Sequence, residues 1–171
     1  AFVVAIYKNK GHPELPKSYR PISLLNSLYK IYARLIQKRL SDSLEPRIRN
    51  RQHGFRKNHS TSDPIHTLRR LMELFEATRE PLYLLFIDWE MAFDKITREG
   101  QICSLRRLHM PEHVLKVIEN MYHHTPFRVR DSDYVSQTEL QATGIRQGCP
   151  LSPYLFILFM SVLMHDVEEA Y

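Results

Sequence analysis

Apolar and polar positions alternate along this chain in a few long helical stretches separated by short extended ones. Leu28, Ile31, Tyr32, Leu35, Ile36 and Leu40 recur at helical spacing, while Lys30, Arg34, Lys38 and Arg39 lie largely off that stripe. This predicts an amphipathic helix to about Leu44, with Asn26 and Ser27 suited to cap it. A loop dense in Arg and Lys follows over residues 46–59. Asp63 then reads as an N-cap with Pro64 at the first helical position, opening a helix with Ile65, Leu68, Met72 and Phe75 on one face. Pro81 ends the connection, and the apolar run at residues 82–88 predicts a strand. Beyond Asp94, Thr97 caps a helix of about ten residues. Pro111 begins another, with Val114, Val117, Ile118, Met121 and Tyr122 inward. Residues 127–130 and 134–142 flank Asp131-Ser132-Asp133, a hairpin turn. The last helix starts near residues 150–153 and runs to the C-terminus. The pattern is α+β, helices packed on a small antiparallel sheet.

Composition narrows the class. The 171 residues make one domain or a large piece of one, and 43% hydrophobic residues suffice for a core. The N-terminus turns basic and proline-punctuated too early for a signal peptide, and the absence of an initial Met reads as a cut from something longer. The most apolar stretch, residues 151–164, is shorter than the roughly 20 residues a bilayer requires and reads as a buried helix, which excludes a membrane partner. Cys103 and Cys149 stand far apart, which points to reduced thiols and an intracellular setting. Charge is uneven. Residues 1–70 hold 15 Lys/Arg against 4 Asp/Glu, and residues 71–171 hold 9 against 15. The basic part fits a surface that neutralises phosphates, and it also fits solvated helix faces. His109 and His113 are separated by Pro111, and His123 and His124 are adjacent, so neither pair converges as zinc would require.

Candidate chemistry gathers in four blocks. LLFIDWEMAFDKI (residues 84–96) ends an apolar run in Asp88, and Phe93 and Asp94 follow. An acid delivered at a strand tip is one way to hold a hard divalent cation. Asp94 reads as a turn residue or a hydrogen-bonding neighbour of such a site. GIRQGCPLSP (residues 144–153) places Gln147 among Gly144 and Gly148, ahead of Pro150, Ser152 and Pro153; Ser can cap the next helix and Pro suits its first turn. Near the N-terminus are AIYKNKG, with Lys8, and YRPISLLN, with Arg20. QHGFRKNHS (residues 52–60) carries Phe55, Arg56 and Lys57.

In this order and with these gaps, the blocks resemble the reverse transcriptases of non-LTR (LINE-like) retrotransposons; the wording YRPISLLN leans away from the group II intron type. The resemblance implies a partial right-hand polymerase fold, with fingers over about residues 1–80 and the first part of the palm over about 81–171. It implies Asp88 as a catalytic ligand of two Mg²⁺ ions and Phe93 as the ring that excludes a 2′-hydroxyl. Lys8 and Arg20 would grip the triphosphate of a deoxynucleotide, an assignment suited to their charge and donor geometry. Gln147 and Gly148 would contact the nascent base pair, with Pro150 and Ser152 beside the template. Phe55, Arg56 and Lys57 would lie along the template, touching phosphates and stacking on a base. An RNA template, a DNA primer and deoxynucleoside triphosphates are the implied partners, and the nucleus is the implied place for the parent element.

Such enzymes also carry an aromatic-x-Asp-Asp hairpin, a thumb and in many cases an endonuclease. No Asp-Asp pair occurs here. The sequence therefore predicts that this chain alone is inactive and poorly soluble. The alternative is a catalytically dead remnant or nucleic-acid-binding module.

Overall fold

The computed structural model describes residues 1–170. Its N-terminal hairpin pairs β1 (Phe2–Tyr7) antiparallel with β2 (Tyr19–Leu24), in register from Phe2 opposite Leu24 to Tyr7 opposite Tyr19. Then come α1 (Ser27–Leu44), α2 (Ser62–Thr78), the single turn α3 (Ala92–Lys95), α4 (Arg98–Arg107) and α5 (Glu112–Tyr122). Next are β3 (Pro126–Asp131), β4 (Tyr134–Val135) and β5 (Glu139–Leu140), and the chain closes with α6 (Ser152–Glu169). The sheet runs β2-β1-β3-β4, with β5 also on β3. β1 and β3 are parallel, so the sheet is mixed and not the antiparallel one expected. Strands so far apart in sequence, joined through β2 and five helices, can lie parallel because the crossover is long.

The core lies in the C-terminal half. α6 is apolar on nearly every side through residues 151–162, which suits a central helix, and α4 packs on both α6 and α5. Leu105, Leu115, Ile118, Leu155, Ile157 and Leu158 are fully buried there, joined by Ala33, Ile36, Leu40 and Leu44 of α1. Two capping expectations hold, with Asn26 accepting from Tyr29 N at 2.7 Å and Thr97 accepting from Gly100 N at 3.1 Å, and Pro111 stands at the start of α5 as expected.

Three expectations fail. On α1, Leu28, Ile31, Tyr32 and Leu35 are exposed; of the stripe only Ile36 and Leu40 reach the core, beside Ala33 and Leu44. α2 begins at Ser62, so Asp63 sits inside the first turn, where its carboxylate accepts from Ser60 N at 3.2 Å. No α2 residue is buried. Residues 82–88 do not form a strand. They pair with no other strand among the described residues, and Tyr83, Leu85, Phe86 and Ile87 are exposed. An extended segment gains ladder hydrogen bonds only from a neighbour, and residue pattern alone supplies none.

Candidate functional site

The sequence blocks meet where α3 touches the loop at residues 144–148. Ile145 N donates to Phe93 O at 2.8 Å, Gly144 N to Ile96 O at 2.9 Å, and Thr143 Oγ1 to Asp94 O at 3.3 Å. The Gln147 amide donates to both Asp94 carboxylate oxygens, at 3.3 and 3.2 Å. On the other side, Ser23 N of β2 donates to Gln147 O at 2.7 Å. The loop is thus held from two directions by backbone bonds, and the carboxylate of Asp94 fixes its central side chain.

This closeness explains two glycines. Gly148 has φ +104°, and a Cβ there would stand 2.6 Å from Ser23 O. Gly144 has φ +85°, and its Cβ would meet Asp94 Cα at 2.9 Å and Phe93 O at 3.0 Å. Both positions combine left-handed backbone with backbone neighbours that cannot swing away.

An aromatic row joins the fourth block, residues 52–60. Phe93 stacks on Phe156 of α6 at 5.1 Å between centroids, with planes 16° apart. Phe55 stands near-perpendicular to Phe93, with centroids 6.4 Å apart. Phe55 itself has φ 58°, an uncommon conformation for a bulky residue, and its ring is largely exposed. Met91, just before α3, is also left-handed at φ 53°. A small cavity of about 200 Å³ opens beside Asp94, Gln147, Pro21 and Ser23.

The remaining candidates divide. Arg20 and Lys57 are exposed, Pro150 is half-buried, and Lys8 Nζ donates to Lys17 O at 2.8 Å. Arg56 is turned inward: its side chain is 6% exposed and donates to Glu45 Oε1, Arg49 O and Gln52 O. Its donors brace the loop. Ser152 does not cap α6, against expectation. It is buried at the start of α6, Leu151 holds the cap position, and its hydroxyl lies 3.1 Å from Tyr122 OH. Sequence reasoning passed over Arg146, whose guanidinium lies 5.1 Å over the Tyr29 ring and 5.8 Å from that of Tyr122. Burial, and then neighbouring Cys149, push the Tyr29 phenol up, so it stays neutral beneath that cation.

The family described as "Reverse transcriptase (RNA-dependent DNA polymerase)" matches residues 6–171. The chain belongs to that family. Its relatives include "Probable RNA-directed DNA polymerase from transposon BS" of Drosophila melanogaster, 34% identical over 95% of this chain and 18% of the relative. The RNA-directed DNA polymerase from mobile element jockey of the same species is 34% identical over 94% of this chain and 18% of its own length. The polyprotein of the R2DM retrotransposable element is 26% identical over 90% and 14%. This reverse transcriptase chain therefore spans about a fifth or less of the curated relatives it matches.

Asp88 is exposed in the irregular segment before α3. Two groups of three or more His, Cys, Asp or Glu converge among the described residues, and neither includes Asp88 or Asp94. A hard divalent ion takes about six oxygens, so the carboxylates present at Asp88 do not make a metal centre by themselves. No helix among the described residues is long and apolar enough to cross a membrane.

Proposed function

We propose that this chain forms the fingers and first palm section of an RNA-directed DNA polymerase of a non-LTR retrotransposon, and that it seats the template base and incoming deoxynucleotide. The boundary falls near residue 80, ahead of the segment that carries Asp88. The observation that carries this reading is the meeting of four blocks, through Ser23, Phe55, Phe93–Asp94 and Gly144–Gly148, around one loop. Gln147 and Gly148 lie against the nascent pair, with Pro150 alongside the template strand. Phe93 presents its ring to the sugar and excludes a 2′-hydroxyl by bulk. Lys8 and Arg20 hold the triphosphate, and Phe55 and Lys57 follow the template. Asp88 is one ligand of the catalytic Mg²⁺ ions, whose other carboxylates lie outside this chain. The parent protein works inside the cell, in the nucleus, on an RNA template and a DNA primer.

The test is primer extension on RNA by the longer polypeptide that contains this chain. Mg²⁺-dependent synthesis should fall by a factor of about 10³ or more in Asp88→Ala, because the metals carry the developing charge. Phe93→Ala should retain synthesis and admit ribonucleotides. Synthesis untouched by Asp88→Ala would overturn the reading. RNA binding by residues 1–70 should weaken steeply with salt. The second reading, a binding module without chemistry, is favoured by Asp88 belonging to no group of three or more convergent ligand side chains among the described residues. It predicts salt-sensitive binding with no extension at all.

A further inference from the structure

We infer that His53, His59 and Asp63 form a zinc-binding site that ties the loop at residues 52–61 to the start of α2. One ligand atom from each side chain lies within 4.8 Å of the other two. His53 Nδ1 is 3.5 Å from Asp63 Oδ2. Zinc bonds of about 2.0–2.1 Å separate neighbouring tetrahedral ligands by roughly 3.4 Å, so this pair already stands one such edge apart. His59 is set edge-on to His53, with ring centroids 5.5 Å apart and planes 68° apart, and a modest side-chain rotation closes the third corner.

Two further observations favour a metal over a simple histidine–carboxylate pair. His53 Nδ1 is buried and makes no hydrogen bond, a condition native structures rarely leave unanswered. Asp63 Oδ2 receives Ser60 N at 3.2 Å, which orients the carboxylate as a partner beyond the ligand shell commonly does. Two imidazoles and one carboxylate match zinc's preferred donors, with a fourth position left for water.

The site also answers a packing question. α2 buries no residue, and the loop before it holds Phe55 and Asn58 in left-handed conformations. A cation bound by both segments would fix the direction in which α2 leaves the loop. The second convergent group, His165, Asp166 and Glu169, does not qualify, because Arg107 already occupies both Asp166 oxygens at 2.7 and 2.5 Å.

The test is titration of the metal-free full chain with Zn²⁺ by calorimetry and with Co²⁺ by absorption, alongside His59→Ala, Asp63→Asn and His165→Ala. One zinc per chain is expected, with a cobalt spectrum lacking a thiolate charge-transfer band. Affinity should fall about tenfold or more in His59→Ala and in Asp63→Asn and stay unchanged in His165→Ala. Both affected positions are at least partly exposed, and far-UV circular dichroism checks that the helices persist. Absence of saturable binding would overturn the inference. So would binding that survives both substitutions, depends on His165, or shows a thiolate band from Cys103 or Cys149. The outcome is independent of polymerase activity, so failure here leaves the proposed function standing, and the reverse.

Discussion

The loop at residues 144–148 and the segment at residues 82–88 both carry strong family motifs, yet only one of them is built by its own surroundings. The loop is pinned by backbone bonds to β2 and α3, backed by Phe93 on Phe156, and continued into the buried helix α6. The segment holding Asp88 has no regular secondary structure, is exposed and has no strand partner among the described residues. A loop made of close backbone approaches needs glycines and near neighbours, which this chain supplies. A strand needs another strand, and its apolar residues specify only that it wants one.

The largest expected difference between the two regions lies in the core beneath the loop. Leu158→Ala should cost about 2–5 kcal/mol in urea unfolding, since Leu158 is 0% exposed. Phe86→Ala, at a side chain 77% exposed, should stay within about 0.5 kcal/mol. Comparable losses at both would erase the contrast. Next is the loop itself. Gly148→Ala should destabilise by about 2–3 kcal/mol through left-handed strain and the Ser23 carbonyl. Gly54→Ala meets only the Gln52 amide, at an ordinary 3.5 Å, and should change stability by less than about 1 kcal/mol.

A smaller effect is expected where the loop enters α6. Tyr122→Phe leaves the buried Ser152 hydroxyl without its 3.1 Å partner and should cost about 1–2 kcal/mol. The smallest sits at the far end of α6. Hydrogen bonding from Arg107 holds the Asp166 carboxyl below the usual carboxylate range. A depressed folded-state value means that the stabilisation is present above the unfolded pKa, about 4, and is lost as pH falls through the folded one. Melting temperatures of the chain and of Asp166→Asn should therefore differ slightly near neutrality and converge in strong acid. Salt should shrink the difference, because both side chains are nearly half exposed.

Helix positions were largely legible because capping and periodicity are local. Asn26, Thr97 and Pro111 mark helix starts by their own side chains or rings, with no help from elsewhere in the fold. The mixed sheet was not legible, since no residue of β1 announces that its second neighbour is β3, over a hundred positions away. Nor was the outward face of α1: periodicity gives a stripe, and only tertiary packing decides which part of it is covered. The site was legible as blocks and less so as contacts. Arg56 belongs to a block rich in phosphate-binding residue types, and what turned it inward is Glu45, eleven residues earlier. The pairing of Gln147 with Asp94 spans 53 positions. His53 and His59 were hidden in plain view, because their spacing within QHGFRKNHS becomes a cluster only when the loop folds back on Asp63.

Hydrogen exchange resolved to single residues tests the central contrast most directly. The amides of Ser23, Gly144 and Ile145, each bonded to a backbone carbonyl in the structure, should exchange slowly, while those of residues 82–89 should exchange at the rate of an unstructured chain. Equal protection of both stretches, or protection confined to residues 82–89, would contradict it.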